Sequence, residues 1–422
     1  MEHIVIKGGH PLRGDVRIEG AKNAVLPAMA AALLAKGPTL LEGAPPLKDV
    51  EAMAEILGWL GVEVKREGPR TWSVAPETLS RLVLPEELSR KLRSSLFLLG
   101  PLLARFGEVE MGYPGGCSIG ARPIDFHLKG LRQMGVEVLE ETPVLRARVR
   151  ELRGADIYLA YPSVGATENL MMAATLARGT TTIRNAAKEP EVVDLARLLT
   201  AMGARIRGAG SDVVTVEGVG ELHGVQHRII PDRIEAGTFL LALAATGGQG
   251  AVQGVVPGHL YAVLDMLHQM GCQVSFTRDR IHLKARGRVQ PVDIRTQPYP
   301  GFPTDLQNPA LAVLVKADGT SIITESVFES RFRVAEELRR MGAQVQVDGR
   351  LAVVRGVPKL KGTRLMAHEL RGAAALLIAA LSAEGVSTLE GVQHLDRGYA
   401  RLEERLSRLG AAVERVNTLR VD

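Results

Sequence analysis

A thiol held in the open beside a cation can give up a proton or attack as a thiolate. Cys117 has that setting. It lies in Pro114-Gly115-Gly116-Cys117-Ser118-Ile119-Gly120-Ala121-Arg122-Pro123, among three glycines and two prolines, with Arg122 five residues on. Such a stretch cannot be the inside of a helix or a central strand. It reads as a loop, whereas a structural cysteine is normally a small buried hydrophobe. Other residues suggest the charges such a thiol would work with. Gly20-Ala21-Lys22-Asn23 and Ser163-Val164-Gly165-Ala166-Thr167 each precede an apolar run. The N-terminus of a helix there would offer free N–H groups to an anion. Lys22 is a poor choice for stability at that end, and an anionic ligand would remove the conflict. Ser163 is equally well an ordinary N-cap. Arg93, Arg122, Arg331, Arg371 and Arg397 lie beside turns or helix starts. Arginine suits bidentate grips on phosphate and carboxylate, although any one of them alone is more often a solvated charge. Asp305, in Phe302-Pro303-Thr304-Asp305-Leu306-Gln307, could cap the following helix or act as a general base.

The elements that must position these residues repeat. One pattern recurs as Leu57-Gly58-Trp59-Leu60-Gly61-Val62, Leu131-Arg132-Gln133-Met134-Gly135-Val136 and Leu199-Thr200-Ala201-Met202-Gly203-Ala204. It returns as Leu267-His268-Gln269-Met270-Gly271-Cys272, Leu338-Arg339-Arg340-Met341-Gly342-Ala343 and Leu406-Ser407-Arg408-Leu409-Gly410-Ala411. The glycines are 74, 68, 68, 71 and 68 residues apart. Each copy predicts an amphipathic helix, a C′ glycine in the left-handed conformation and an alternating strand. The strand often returns as a hairpin, as the Asp348-Gly349 turn signature indicates. Cys272 stands where the other copies carry valine or alanine, so it reads as packed core. Upstream lie helices that are apolar all round: Ala28–Ala35, Leu170–Ala177, Thr238–Ala245, Pro309–Val315 and Ala373–Ala380. They should be buried on every side and are too short to span a bilayer, which takes ~20 residues. The pattern predicts an α/β fold of six α+β repeats, with helices inside and sheets outside. Six units are too many for one core, so two domains of three repeats are expected, with a seam near His227–Pro231.

The chain has 422 residues, 46% hydrophobic and only 4% aromatic. With 52 basic and 47 acidic residues the net charge is +5. No block of like charge and no aromatic platform suggests a nucleic-acid track. The excess suits small anionic substrates. Two cysteines 155 residues apart make no disulfide framework and no zinc site, so a reducing cytoplasm is expected. The N-terminus reads as a short strand and turn, not a signal peptide. No metal spacing and no Walker or Rossmann glycine pattern occurs; neither metal nor cofactor is expected.

Taken together, several motifs resemble the enolpyruvyl transferases, in particular the branch that uses a nucleotide sugar as acceptor. They are Gly20–Ala24, Pro114–Cys117 with Gly120–Pro123, Ser163–Thr167, Pro231–Glu235, Phe302–Asp305, Val327–Glu329 and Asp396-Arg397-Gly398-Tyr399. The resemblance runs end to end. It implies two inside-out α/β barrel domains, each of three repeated units with buried helices and outer sheets. One would be residues 22–229, carrying the Cys117 loop as a lid. The other would be 1–21 plus 230–422, carrying Asp305 and Arg397, with the site in the cleft between them.

The implied reaction moves the enolpyruvyl group of phosphoenolpyruvate to the sugar 3-hydroxyl of UDP-N-acetylglucosamine, releasing phosphate. This is the first committed step of peptidoglycan synthesis. The resemblance makes Cys117 the proton donor and Asp305 the base, with Lys22 and Arg397 also catalytic. Lys22, Asn23, Arg122, Arg371 and Arg397 would hold phosphoenolpyruvate. Asn23, Arg93, Arg122, Pro123, Ile124, Asp125, Phe126, Ser163, Val164, Gly165, Thr304, Asp305 and Val327 would hold the nucleotide sugar. Glu369 stands where the family usually has Asp, and Tyr161 and Tyr299 where some relatives carry basic residues or histidine. Two other readings compete. The sister enzyme acting on shikimate phosphate shares the fold but has no comparable Gly-Gly-Cys loop. A ring-forming clamp or scaffold can also be built from six α+β repeats, but it leaves Cys117, Lys22 and Arg397 idle.

Overall fold

A computed structural model describes residues 2–114, 124–141 and 143–417. Among these, residues 20–230 form one compact unit, and residues 2–19 with 231–417 form another. Each is a mixed α/β assembly. The amphipathic helices Lys48–Trp59, Asp125–Gln133 and Pro190–Ala201 lie in the first, and Tyr261–Gln269, Val334–Arg340 and Leu402–Arg408 in the second. All six end the same way. The glycine after each has φ between 84° and 112°. The next residue's N–H then donates back to the leucine that opens the motif: Val62 to Leu57, Val136 to Leu131, Ala204 to Leu199, Cys272 to Leu267, Ala343 to Leu338 and Ala411 to Leu406, at 2.9–3.1 Å. This is the Schellman bond, which satisfies an orphan carbonyl and buries the residue after the glycine. The spacing of leucine, glycine and small apolar residue in the repeat is therefore the spacing of a helix stop. Cys272 fills that last position at 3% exposure, with its thiol pushed up to about 11 by burial.

Each motif alternates with a second, apolar helix. In the first unit these are Lys22–Ala31, Leu99–Phe106 and Val164–Ala174, and in the second Arg233–Ala245, Gln307–Leu314 and Leu370–Ser382. The three of the second unit pack on one another, as do Leu99–Phe106 and Val164–Ala174 in the first. The apolar runs named above do not include Leu99–Phe106, which contains Gly100 and Pro101, both poor residues for a helix interior. Both residues instead suit the first helical turn. Pro101 has no N–H to lose there, and Gly100 allows the helix to touch its neighbour: a Cβ would run into the Asn169 carbonyl, while its N–H donates to Asn169 Oδ1 at 2.7 Å.

Each unit holds three four-stranded sheets of one design. A strand pairs in parallel with the first strand of a repeat, which pairs antiparallel with the return arm of a hairpin. Thr39–Glu42, for example, has Gln226–Arg228 on one side and Thr71–Ala75 on the other. The hairpin of Gln344–Asp348 and Leu351–Arg355 turns on Gly349, φ 54°. Strands alternate buried and open residues, as in Val213–Glu217, so one sheet face packs on the helices. The chain's start completes the second unit. Glu2–Lys7 takes the return-arm place in the sixth repeat, between Val386–Glu390 and Ala412–Asn417. Arg13–Arg17 takes the parallel place beside Gln249–Gln253. A buried ion pair fixes this arrangement: Glu235 pairs with Arg405 and accepts the Glu19 N–H at 2.8 Å, and Arg405 donates to the Arg17 carbonyl at 2.6 Å. Among the described residues no helix is long and apolar enough to cross a membrane.

Candidate functional site

In the second unit, the Thr304–Leu306 turn leads into a buried helix and carries Asp305. The carboxylate does not cap that helix. Its Oδ1 accepts from Arg331 Nη2 at 2.6 Å and its Oδ2 from Arg371 Nη2 at 2.9 Å. Both arginines are almost wholly buried, at 2% and 4% side-chain exposure, while Asp305 keeps 24%. Arg371 is in the first turn of Leu370–Ser382, where a cation opposes the helix dipole. Glu369 offsets this as the N-cap: its carboxylate accepts from the Arg371 and Gly372 N–H groups and from Asn308 Nδ2 at 3.0 Å. The longer side chain at 369 is thus accommodated as a cap. Arg371 lies over the Tyr399 ring and Arg331 over Phe328. Burial alone would raise the pKa of Asp305, but the charges and hydrogen bonds of Arg371 and Arg331 outweigh it and hold the carboxyl far below its usual range. Arg331 Nε is a buried donor with no hydrogen-bond acceptor among the described residues. A two-arginine cluster beside an ionised carboxylate can take an anion and can accept a proton.

Glu325 was not visible as functional from sequence. It is fully buried and joins the segments around Asp305. Its Oε1 accepts from Thr296 Oγ1, Val327 N and Phe328 N at 2.9, 2.8 and 3.1 Å, and its Oε2 from Thr304 Oγ1 at 2.9 Å. Val327 is half-buried beside it. Arg397 is half-buried at the end of the Val392–Arg397 turn. Asp232 caps Arg233–Ala245 through the Ile234 and Glu235 N–H groups. Tyr299 lies under the Arg233 guanidinium, 5.5 Å from the ring centroid.

In the first unit, Lys22 opens the first buried helix, and its Nζ is 2.6 Å from Asp49 Oδ2. Asp49 therefore offsets part of the conflict between a lysine and a helix N-terminus, which the sequence alone assigned to a ligand. Asn23 is exposed in the same turn. Ser163 is an N-cap: its Oγ accepts the Ala166 N–H at 3.3 Å, and half-buried Val164 and Gly165 follow. Tyr161, just before this cap, is partly exposed and accepts the Ser163 N–H through its carbonyl. Beside this helix start lies His127, close enough that a Cβ on Gly165 would press on its ring. Asn169 is fixed by donating Nδ2 to the Leu96 carbonyl and accepting from Gly100, so its Nδ2 also donates to His127 Nδ1 at 3.0 Å. That leaves the His127 proton on Nε2. Ile124 is buried; Asp125 and Phe126 open the next helix, where Asp125 suits the dipole. Arg93 is half-buried at the start of Arg93–Leu98. Cys117, Arg122 and Pro123 lie outside the described residues. Among those described, no group of histidine, cysteine and carboxylate side chains is placed to hold a metal.

The family model described as EPSP synthase (3-phosphoshikimate 1-carboxyvinyltransferase) matches residues 6–406. The chain belongs to this carboxyvinyltransferase, or enolpyruvyl transferase, family. It is 52% identical over 417 residues to UDP-N-acetylglucosamine 1-carboxyvinyltransferase 1 of Carboxydothermus hydrogenoformans, covering 99% of both chains. It is 52% identical over 421 residues to the protein of that name from Symbiobacterium thermophilum, covering 98% of this chain and 95% of the relative. Among solved structures, an enolpyruvyl transferase from Streptomyces tendae superposes with a TM-score of 0.89 at 28% identity, over 99% of each chain. EPSP synthase from Acinetobacter baumannii shares the fold, with a TM-score of 0.75 at 19% identity over 99% of this chain and 100% of its own.

Proposed function

We propose that this enolpyruvyl transferase moves the enolpyruvyl group of phosphoenolpyruvate to the 3-hydroxyl of UDP-N-acetylglucosamine, with release of phosphate. The observation that carries the choice of acceptor is the 52% identity, end to end, to proteins named for that reaction. The Asp305–Arg331–Arg371 cluster supports the chemistry. In the addition step the sugar oxygen bonds to C2 of phosphoenolpyruvate, its proton passes to Asp305, and Cys117 protonates the methylene carbon. In the elimination step the methyl group loses a proton and the C–O bond to phosphate breaks, leaving the enolpyruvyl ether and inorganic phosphate. This is acid–base chemistry and calls for no redox cofactor.

Lys22, Asn23, Arg122, Arg371 and Arg397 are read as the grip on phosphoenolpyruvate. Asn23, Arg93, Arg122, Pro123, Ile124, Asp125, Phe126, Ser163, Val164, Gly165, Thr304, Asp305 and Val327 are read as the grip on the nucleotide sugar. The reading requires residues of both units to act on one substrate pair. Clamped between two guanidinium groups, Asp305 is ionised but a weak base; an anion that draws one arginine away would strengthen it. Losing one preorganised donor typically costs ~10²–10³ in rate. Three four-stranded sheets and three apolar helices per unit support reading each unit as an inside-out barrel. Both substrates are soluble metabolites, and the cytoplasm is the proposed compartment, with peptidoglycan synthesis the process served.

The test is phosphate release from phosphoenolpyruvate with each acceptor in turn. Release with UDP-N-acetylglucosamine alone is expected. Release only with shikimate 3-phosphate would overturn the acceptor, and release with neither would favour a scaffold.

A further inference from the structure

We propose that Glu325 is the positioning residue of the catalytic base, holding both Asp305 and one of its two arginines in place. The proposal rests on the reading of Asp305 as base. A fully buried carboxylate is costly unless its lone pairs are satisfied. Among the described residues Glu325 has four donors and no cation as hydrogen-bond partners. The two oxygens divide the work. Oε1 takes the backbone N–H groups of Val327 and Phe328 and the Thr296 hydroxyl, closing its own turn on the neighbouring strand. A shorter acceptor could close that turn alone, as Asp and Ser do in local turns. The additional reach of glutamate is used by Oε2, whose one partner is the hydroxyl of Thr304, the residue before Asp305. The same turn sets Phe328, whose ring lies under Arg331 at 5.0 Å, and Arg331 holds Asp305 Oδ1 at 2.6 Å. A base and one arm of its clamp thus hang on a single carboxylate that touches neither. Displacing a reacting group by about 1 Å can cost ~10²-fold in rate, which is the scale on which such a tie matters.

The experiment separates positioning from bulk stability with near-isosteric changes. Thr304→Val removes only the tie to Oε2, and Thr304→Ser keeps the hydroxyl. Glu325→Gln keeps the Oε1 acceptor and offers an N–H to the Thr304 oxygen. Expected results are a kcat loss of roughly 10- to 100-fold in Thr304→Val at saturating nucleotide sugar, with KM for phosphoenolpyruvate held, and recovery in Thr304→Ser and Glu325→Gln. Hydrogen exchange of the Thr304, Asp305 and Leu306 amides should rise in Thr304→Val and not in the two conservative variants. Unchanged kcat in Thr304→Val, or a change in KM alone, overturns the proposal. If the wild-type protein shows no transferase activity, the proposed reaction fails on its own account. Exchange at 304–306 then decides whether Glu325 holds this turn, and no change there overturns the tie.

Discussion

Asp305 and Glu168 are both carboxyl groups in low-exposure surroundings, and their neighbours push them in opposite directions. Arg371 and Arg331 keep Asp305 ionised, so its contribution to stability is present above the unfolded value of ~3.9 and is lost only in strong acid. Glu168, in the third buried helix, is fully buried, and neither of its oxygens has a hydrogen-bond partner among the described residues. Burial first, then the charges of Glu191, Glu189 and Asp194, raise its pKa well above the usual range. The folded chain thus retains a proton that the unfolded chain gives up near pH ~4.3. Below that pH the two states bind the proton alike; above it the unfolded state binds fewer, and stability falls as pH rises. Glu168→Gln removes the effect. Melting curves from pH 5 to pH 8 should show the variant gaining on the wild type as pH increases, and parallel curves would count against a protonated Glu168. Little of this was legible in the sequence. Asp305 and Arg371 stood out as charges beside turns, but their pairing across 66 residues is a product of the fold. Glu325, Asp49 and Glu168 gave no signal, because a buried carboxylate and a solvated one are the same letter.

At the scale of elements, the six helix stops were legible because local geometry alone decides them: a left-handed residue favours glycine, and the Schellman bond fixes where the leucine stands. The apolar helices were legible from composition, except where a close approach demanded a helix breaker. Gly100 and Gly58 make the contrast testable. At Gly100 a Cβ would meet the Asn169 backbone, so Gly100→Ala should destabilise by ~1–3 kcal/mol. Gly58 is exposed, within Lys48–Trp59, with nothing within 4 Å of a Cβ. Gly58→Ala should stabilise by ~0.5–1 kcal/mol through helix propensity and a less flexible unfolded chain. Denaturant midpoints read both; equal effects of one sign would contradict the packing argument. The parallel strand that each sheet borrows from elsewhere was not legible, because nothing in a strand of two to five residues names its partner.

At the scale of the molecule, the two units differ in how the chain supplies them. Among the described residues, those of one unit all lie between positions 20 and 230. The other needs both ends, since Glu2–Lys7 sits between Val386–Glu390 and Ala412–Asn417. A fragment spanning 20–230 is therefore expected to melt cooperatively, whereas the chain lacking residues 2–17 should leave two sheets short of a strand and Arg405 without the Arg17 carbonyl. Calorimetry on both decides this, and a fully folded deletion variant would refute it. The same strand placement sets a timetable on the ribosome. Glu2–Lys7 waits long for this partner, because Ala412–Asn417 emerges some four hundred residues later. In the meantime the middle of the chain can finish folding. Until then Glu2–Lys7 presents an unpaired, half-apolar edge, and chaperones are expected to guard that edge during translation.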